Sequence, residues 1–143
     1  MAKQLSDEKI KYLEIIQTVI SRLAGNSFLI KGWAISIAIT GFGVFETNKN
    51  TSFLWLIIFS SLIFWTLDGY YVRQERLFRK LYEDKAINNH KGKVINFSLS
   101  TVNYEKYVSG KVACMFSFPT SAVYFSILLV ALLLLNFSLF PRR

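Results

Sequence analysis

The sequence predicts an all-α membrane protein. Its expected parts are an N-terminal amphipathic helix, a transmembrane helical hairpin with a cytoplasmic helical extension, and a third, C-terminal transmembrane helix. Three observations lead there. Of the 143 residues 52% are hydrophobic and 16% aromatic, yet 18% are charged. The two kinds stand in separate blocks, whereas a soluble chain mixes them at short period. Three apolar runs approach or exceed the roughly 20 residues that a helix needs to cross about 30 Å of hydrocarbon. Finally, the net charge is +8, and 14 of the 17 Lys and Arg residues flank those runs on one predicted side. The length allows one membrane unit and excludes a large multidomain enzyme, and the hydropathy excludes general disorder.

Segment 1–26 reads as the amphipathic helix. Ser6 is a candidate cap, with Asp7 and Glu8 suited to the positive end of the helix dipole. Ile10, Leu13, Ile16, Ile20 and Leu23 recur at three- and four-residue steps, giving one apolar stripe. Gly25 and Asn26 read as its stop, with Asn26 or Ser27 capping the next helix. The stripe suits an interfacial helix on the inner leaflet, a docking face, or packing on the protein's own cytoplasmic helix. With its interspersed charges this segment has no secretory signal pattern.

The first span, 28–46, holds one charge, Lys31. Gly32, Ser36 and Thr40 form one row of small residues, and Ala34 and Ala38 a second. Such rows let helices approach closely in lipid, whether to the bulky second span or to another copy. The second span, 53–71, is rich in Phe and Trp and also holds one charge, Asp68. In a hairpin turning near residue 49, residues equidistant from the turn share a depth. Lys31 and Asp68 meet that condition, so a structural ion pair is expected to fix the hairpin, since paired charges cost less in lipid than single ones. Trp33 and Trp65 meet it too, and with Tyr70 and Tyr71 they read as interfacial anchors.

Segment 72–114 reads as a cytoplasmic basic helix and loop. Glu75–Arg79 and Arg79–Glu83 are i,i+4 opposite-charge pairs. Arg73, Arg76, Arg79 and Lys80 form a basic face for anionic lipids or a partner, and ordinary topology anchoring explains the same charges. Asn88, Asn89, His90 and Gly92 mark a turn; the partial alternation from Val94 to Val102 leaves a short strand or a second interfacial segment open. The third span, 117–140, is uncharged, and Pro119 raises the alternative of a re-entrant helix. Cation counts place the N-terminus inside.

Two stretches carry a resemblance. Arg22-Leu23-Ala24-Gly25-Asn26-Ser27-Phe28, running into Lys31-Gly32-Trp33, is one; Phe64-Trp65-Thr66-Leu67-Asp68-Gly69-Tyr70-Tyr71, continuing through Arg73 to Arg79, is the other. Together, over residues 10–86, they resemble a family of small bacterial integral inner-membrane proteins of uncharacterised activity. The resemblance implies a prokaryotic inner membrane and brings no catalytic residue with it.

Signals for chemistry are absent. With one His, His90, and one Cys, Cys114, no Cys/His zinc cluster can form within the chain. Cys114 is expected to pack as a small apolar residue. Gly41-Phe42-Gly43 falls inside a span and lacks the strand–helix setting of a phosphate loop. Asn96-Phe97-Ser98 and Asn136-Phe137-Ser138 match the glycosylation pattern, one in the predicted cytoplasmic segment and one in lipid. No cofactor and no catalysis are expected. The cations track the membrane flanks, so nucleic acid is not an expected partner; the bilayer with its anionic lipids, further copies of the chain and a cytoplasmic protein are. The expected role is a non-enzymatic interaction or accessory component. The alternatives are an oligomeric membrane-disrupting or pore-forming effector in bacterial defence against phage, and a small transporter subunit.

Overall fold

A computed structural model describes residues 2–87 and 97–139 of the chain. Four α-helices and one 3₁₀ turn follow in order: α1 (Ala2–Asn48), α2 (Ser52–Ile87), the turn (Val102–Tyr107), α3 (Lys111–Met115) and α4 (Phe118–Leu139). No strand occurs among the described residues, so this is an all-α protein, and three of its helices are long and apolar enough to cross a membrane. Residues 97–101 are irregular. The turn expected around His90 and the first Asn-X-Ser pattern at Asn96 lie outside the described residues.

The stop expected at Gly25 and Asn26 does not occur. Both residues are exposed within a continuous 47-residue helix, which also begins before Ser6. A Gly inside a helix costs about 1 kcal/mol relative to Ala, and tertiary packing of an apolar face readily outweighs that. The packing here is one uninterrupted seam. Tyr12, Ile16, Ile20, Ser27, Ile30, Ala34, Ala38 and Phe45 are all buried, at steps that keep one face of α1 turned inward. The sequence stripe was therefore displaced: Ile10 stands outside the seam, half exposed, and Tyr12 takes the inner position.

At about 1.5 Å per residue α1 is about 70 Å long, more than twice the hydrocarbon thickness. The excess forms a two-helix stalk on the side where both termini of the hairpin lie. Tyr12, Ile16, Ile20 and Leu81 make its core. The hairpin end is sharp. Lys49 adopts a left-handed conformation (φ 52°) and donates its N–H to the Phe45 carbonyl at 2.7 Å, closing α1. Asn50 Oδ1 then accepts the N–H of Ser52 at 2.9 Å, opening α2.

Of the two small rows, Ala34 and Ala38 face inward, while Gly32, Ser36 and Thr40 face out. In the span core, Ala34, Ala38 and Phe45 of α1 meet Leu54, Ile57 and Trp65 of α2 and Tyr124, Ile127, Ala131 and Leu135 of α4. Pro119 does not bend α4 into a re-entrant loop. It sits at the second helical residue, where a missing N–H costs nothing, in a helix of 22 residues.

The connection back to α4 is strapped along the stalk. Tyr12 Oη donates to the Ser98 carbonyl at 2.6 Å, Tyr104 Oη donates to Asp84 Oδ2 at 2.7 Å, and Arg73 lies 3.9 Å from Glu105. The Tyr12 ring also meets Phe97 edge-on at 5.4 Å. Short α3 then docks on α2 where the absence of a side chain at Gly69 admits Met115. A Cβ at that position would stand 3.3 Å from Met115 Cα and run into its Cγ. Gly69→Ala is expected to lift α3 at a cost of about 1–3 kcal/mol, the range for overpacking. Maleimide labelling of Cys114, which is fully buried, checks this: it should speed up in the variant.

Candidate functional site

The most polar feature inside the membrane-spanning part is a charge cluster where α1, α2 and α4 meet. Asp68 of α2 has no solvent exposure. Lys31 Nζ of α1 lies 2.6 Å from its Oδ2 and 2.9 Å from its Oδ1. Ser27, one helical turn before Lys31, completes a triangle. It accepts from Lys31 Nζ at 2.7 Å and donates its own proton to Asp68 Oδ1. The side chain of Lys31 remains 19% exposed, so its stem reaches outward while its ammonium serves the carboxylate. From α4, Tyr124 brings a buried hydroxyl into the field of Asp68; it makes no hydrogen bond of good geometry among the described residues.

The expected pairing of Lys31 with Asp68 is thus present, at the depth the hairpin rule assigns. Its chemistry is that of a clasp. The ammonium neutralises the carboxylate on the spot, and no group of three or more metal-ligating side chains exists among the described residues. Nothing in the cluster offers an activated nucleophile or a free general base.

The four aromatic residues expected as anchors divide. Trp33 is 63% exposed, and Tyr70 also faces outward. Tyr71 is half-buried and meets Tyr70 edge-on at 5.6 Å. Trp65 is only 7% exposed and belongs to the core, a correction to the expectation. Its ring stacks near Tyr124 (6.1 Å, 16°), and its Nε1 donates to the Met115 carbonyl at 2.9 Å. A buried indole N–H needs an acceptor, and the carbonyl of the last residue of α3 supplies one. Distance from the turn does not say which way a side chain points.

The basic face is similarly altered. Arg73 faces Glu105, Arg76 approaches the Cys114 sulfur at 3.6 Å, Arg79 pairs with Glu75 at 2.7 Å and Lys80 with Glu83 at 2.7 Å. Arg73 and Arg76 are only partly exposed and fasten the strap and α3, while Arg79 and Lys80 pair along α2 itself. Cys114 is buried as expected, though its sulfur also lies 3.5 Å from the Ser109 carbonyl. Gly41-Phe42-Gly43 is plain helix inside α1, and Asn136 lies within α4.

Ser27, Tyr124 and Tyr104 are the polar residues that sequence reasoning missed. Ser27 carries a usable signal, four residues before Lys31, but the helix boundary assumed at 26–27 concealed it. For Tyr124 and Tyr104 no signal exists, because only the docking of α4 and of the 3₁₀ turn on α2 brings them to Asp68 and Asp84. Comparison with protein-family models, with curated proteins and with solved structures finds no match. What the fold and cluster define is a class, an all-α protein with three helices long and apolar enough to span a membrane, a two-helix stalk and a buried charge clasp.

Breaking a buried pair from one side costs about 3–5 kcal/mol when the remaining charge is stranded. Lys31→Met strands Asp68 and should cost that amount. Asp68→Asn should cost less, because Lys31 can snorkel outward. Lys31→Met/Asp68→Asn should lose less than the sum of the two single changes. Unfolding of the three variants in detergent micelles, treated as a double-mutant cycle, measures the coupling.

The strap adds a pH dependence. Burial first, then the hydrogen bond to Asp84, pushes the Tyr104 phenol up to about 12 from the usual 10.0. A raised pKa favours the folded state below the unfolded value. The Tyr104 contribution is therefore intact below pH 10 and lost as pH rises through about 12. The ultraviolet phenolate signal that Tyr104→Phe removes should titrate near 12 instead of 10.

Proposed function

We propose that this chain is a non-enzymatic accessory protein of a bacterial inner membrane, inserted with its N-terminus in the cytoplasm. It works by holding a rigid two-helix stalk at the membrane face for contact with other proteins. It self-associates through the outward row Gly32, Ser36 and Thr40. The observation that carries this reading is the unbroken seam of α1 from Tyr12 to Phe45. A hinge at Gly25 would leave the water-side half free to lie on the lipid. The seam instead couples it stiffly to the spans, which suits a projecting contact element. The cation distribution supports the orientation, and the internal neutralisation of Lys31 and Asp68 argues against an ion path.

Reconstitution tests it. Full-length protein in dye-loaded liposomes is expected to release no dye at any protein-to-lipid ratio, and cysteine at position 36 is expected to crosslink two copies. Dye release rising with protein would replace the accessory role by pore formation. Absence of a crosslinked dimer would remove self-association.

A further inference from the structure

We propose that α3 and the end of the preceding 3₁₀ turn form a seat for one anionic phospholipid. Lys111 and Lys106 hold its phosphate, and Phe116 and Phe125 carry an acyl chain. The inference needs only that the three apolar helices span a bilayer. A failure of the accessory role, such as dye release, would leave it standing.

Three observations converge on it. The first is charge. Among the described residues Lys106 and Lys111 face no carboxylate within ion-pair distance, whereas each cation of the expected basic face is engaged by its own chain. Lys111 Nζ lies 5.4 Å from the centre of the Tyr70 ring, and Lys106 Nζ lies 4.9 Å from that of Tyr107. A ring face steadies an ammonium without neutralising it, so its donors stay available to phosphate oxygens. The nearest acidic neighbour in sequence, Glu105, is directed to Arg73.

The second is depth. Contacts to α2 pin α3 at the level where the second span leaves the membrane. Met115 packs on Gly69, Trp65 Nε1 donates to the Met115 carbonyl, and Arg76 reaches Cys114. Lys111 therefore stands close to the plane in which headgroup phosphates lie.

The third is the surface on the membrane side of these cations. Val112 is 66% exposed, Phe116 55% and Phe125 51%. Phe116 and Phe125 sit 6.2 Å apart and both lean on Trp65, at 5.0 and 5.2 Å. This aromatic wall continues into the lipid-facing side of α4. Cations above a fixed apolar wall match an amphiphile with an anionic head. A soluble anion would have no use for the wall, and a protein partner would have to displace lipid from it.

The test titrates the full chain in detergent micelles with phosphatidylglycerol and with phosphatidylcholine of the same acyl chains, read by native mass spectrometry. Wild-type protein should prefer phosphatidylglycerol. Lys106→Gln/Lys111→Gln should lower that affinity about thirtyfold, the equivalent of about 1 kcal/mol for each near-surface cation, and lower that for phosphatidylcholine, whose choline offsets the phosphate charge, much less. Lys106→Arg/Lys111→Arg should retain the preference. Lys11→Gln/Arg22→Gln removes two exposed stalk cations and should also leave it intact. All these side chains are exposed, and continued protection of Cys114 from maleimide verifies the fold of each variant. Equal binding of the two lipids by wild type, or an unchanged preference in the double Gln variant, would overturn the proposal. So would equal loss in the stalk variant, or displacement of the lipid by millimolar inorganic phosphate.

Discussion

A carboxylate with no water contact, set where three apolar helices meet, has to be neutralised in place. Moving a charge into a low-dielectric interior is too costly otherwise. Asp68 imposes that requirement on its neighbours. Lys31 and Ser27 must sit on one face of α1, four residues apart, and that face must point at α2. Given those contacts, the rotation of α1 about its axis and its offset along α2 are no longer free. Apolar packing alone leaves such offsets loosely specified in lipid, because one apolar surface resembles another. The clasp removes the ambiguity at one point, and Tyr124 of α4 lies against the same point.

From that point the seam propagates both ways. Toward the hairpin turn it becomes Ala34, Ala38 and Phe45, where small residues bring α1 close to α2. At Gly41 an added Cβ would come within 2.6 Å of Ile57 Cγ1, which shows how near the helices run. Away from the turn the seam becomes Ile20, Ile16 and Tyr12 and leaves the membrane. The driving force changes along one helix. In water the Ile and Tyr side chains are buried by the hydrophobic effect; in lipid, contact and hydrogen bonding take over. A single register satisfies both solvents, so α1 needs no joint between them.

The strap explains where the basic residues went. A segment that returns from the far end of the stalk to the membrane lies in water, and its polar groups need partners along α2. Arg73, Arg76, Asp84 and Tyr104 provide them. Cations that look from sequence like a surface for lipid are partly spent on holding this return path. Among the described residues of the return path itself, Lys106 and Lys111 face no carboxylate within ion-pair distance.

The sequence by itself determined the solvent, the number of spans and the pairing of Lys31 with Asp68. Each follows from one-dimensional quantities: the length of an apolar run, the charges within it, and distance from a turn. It also showed that two small rows exist, without showing which one faces inward. Rotation about a helix axis was beyond it, and so Trp65 looked like an anchor and Ile10 like a core residue. Only the tertiary structure decided that Gly25 stays helical, that Ser27 joins the clasp, and that the basic face is tied to its own chain. The physical reason is common to all three. Local propensities of about 1 kcal/mol are overruled by contacts between residues tens of positions apart, and no local pattern records which residues those are.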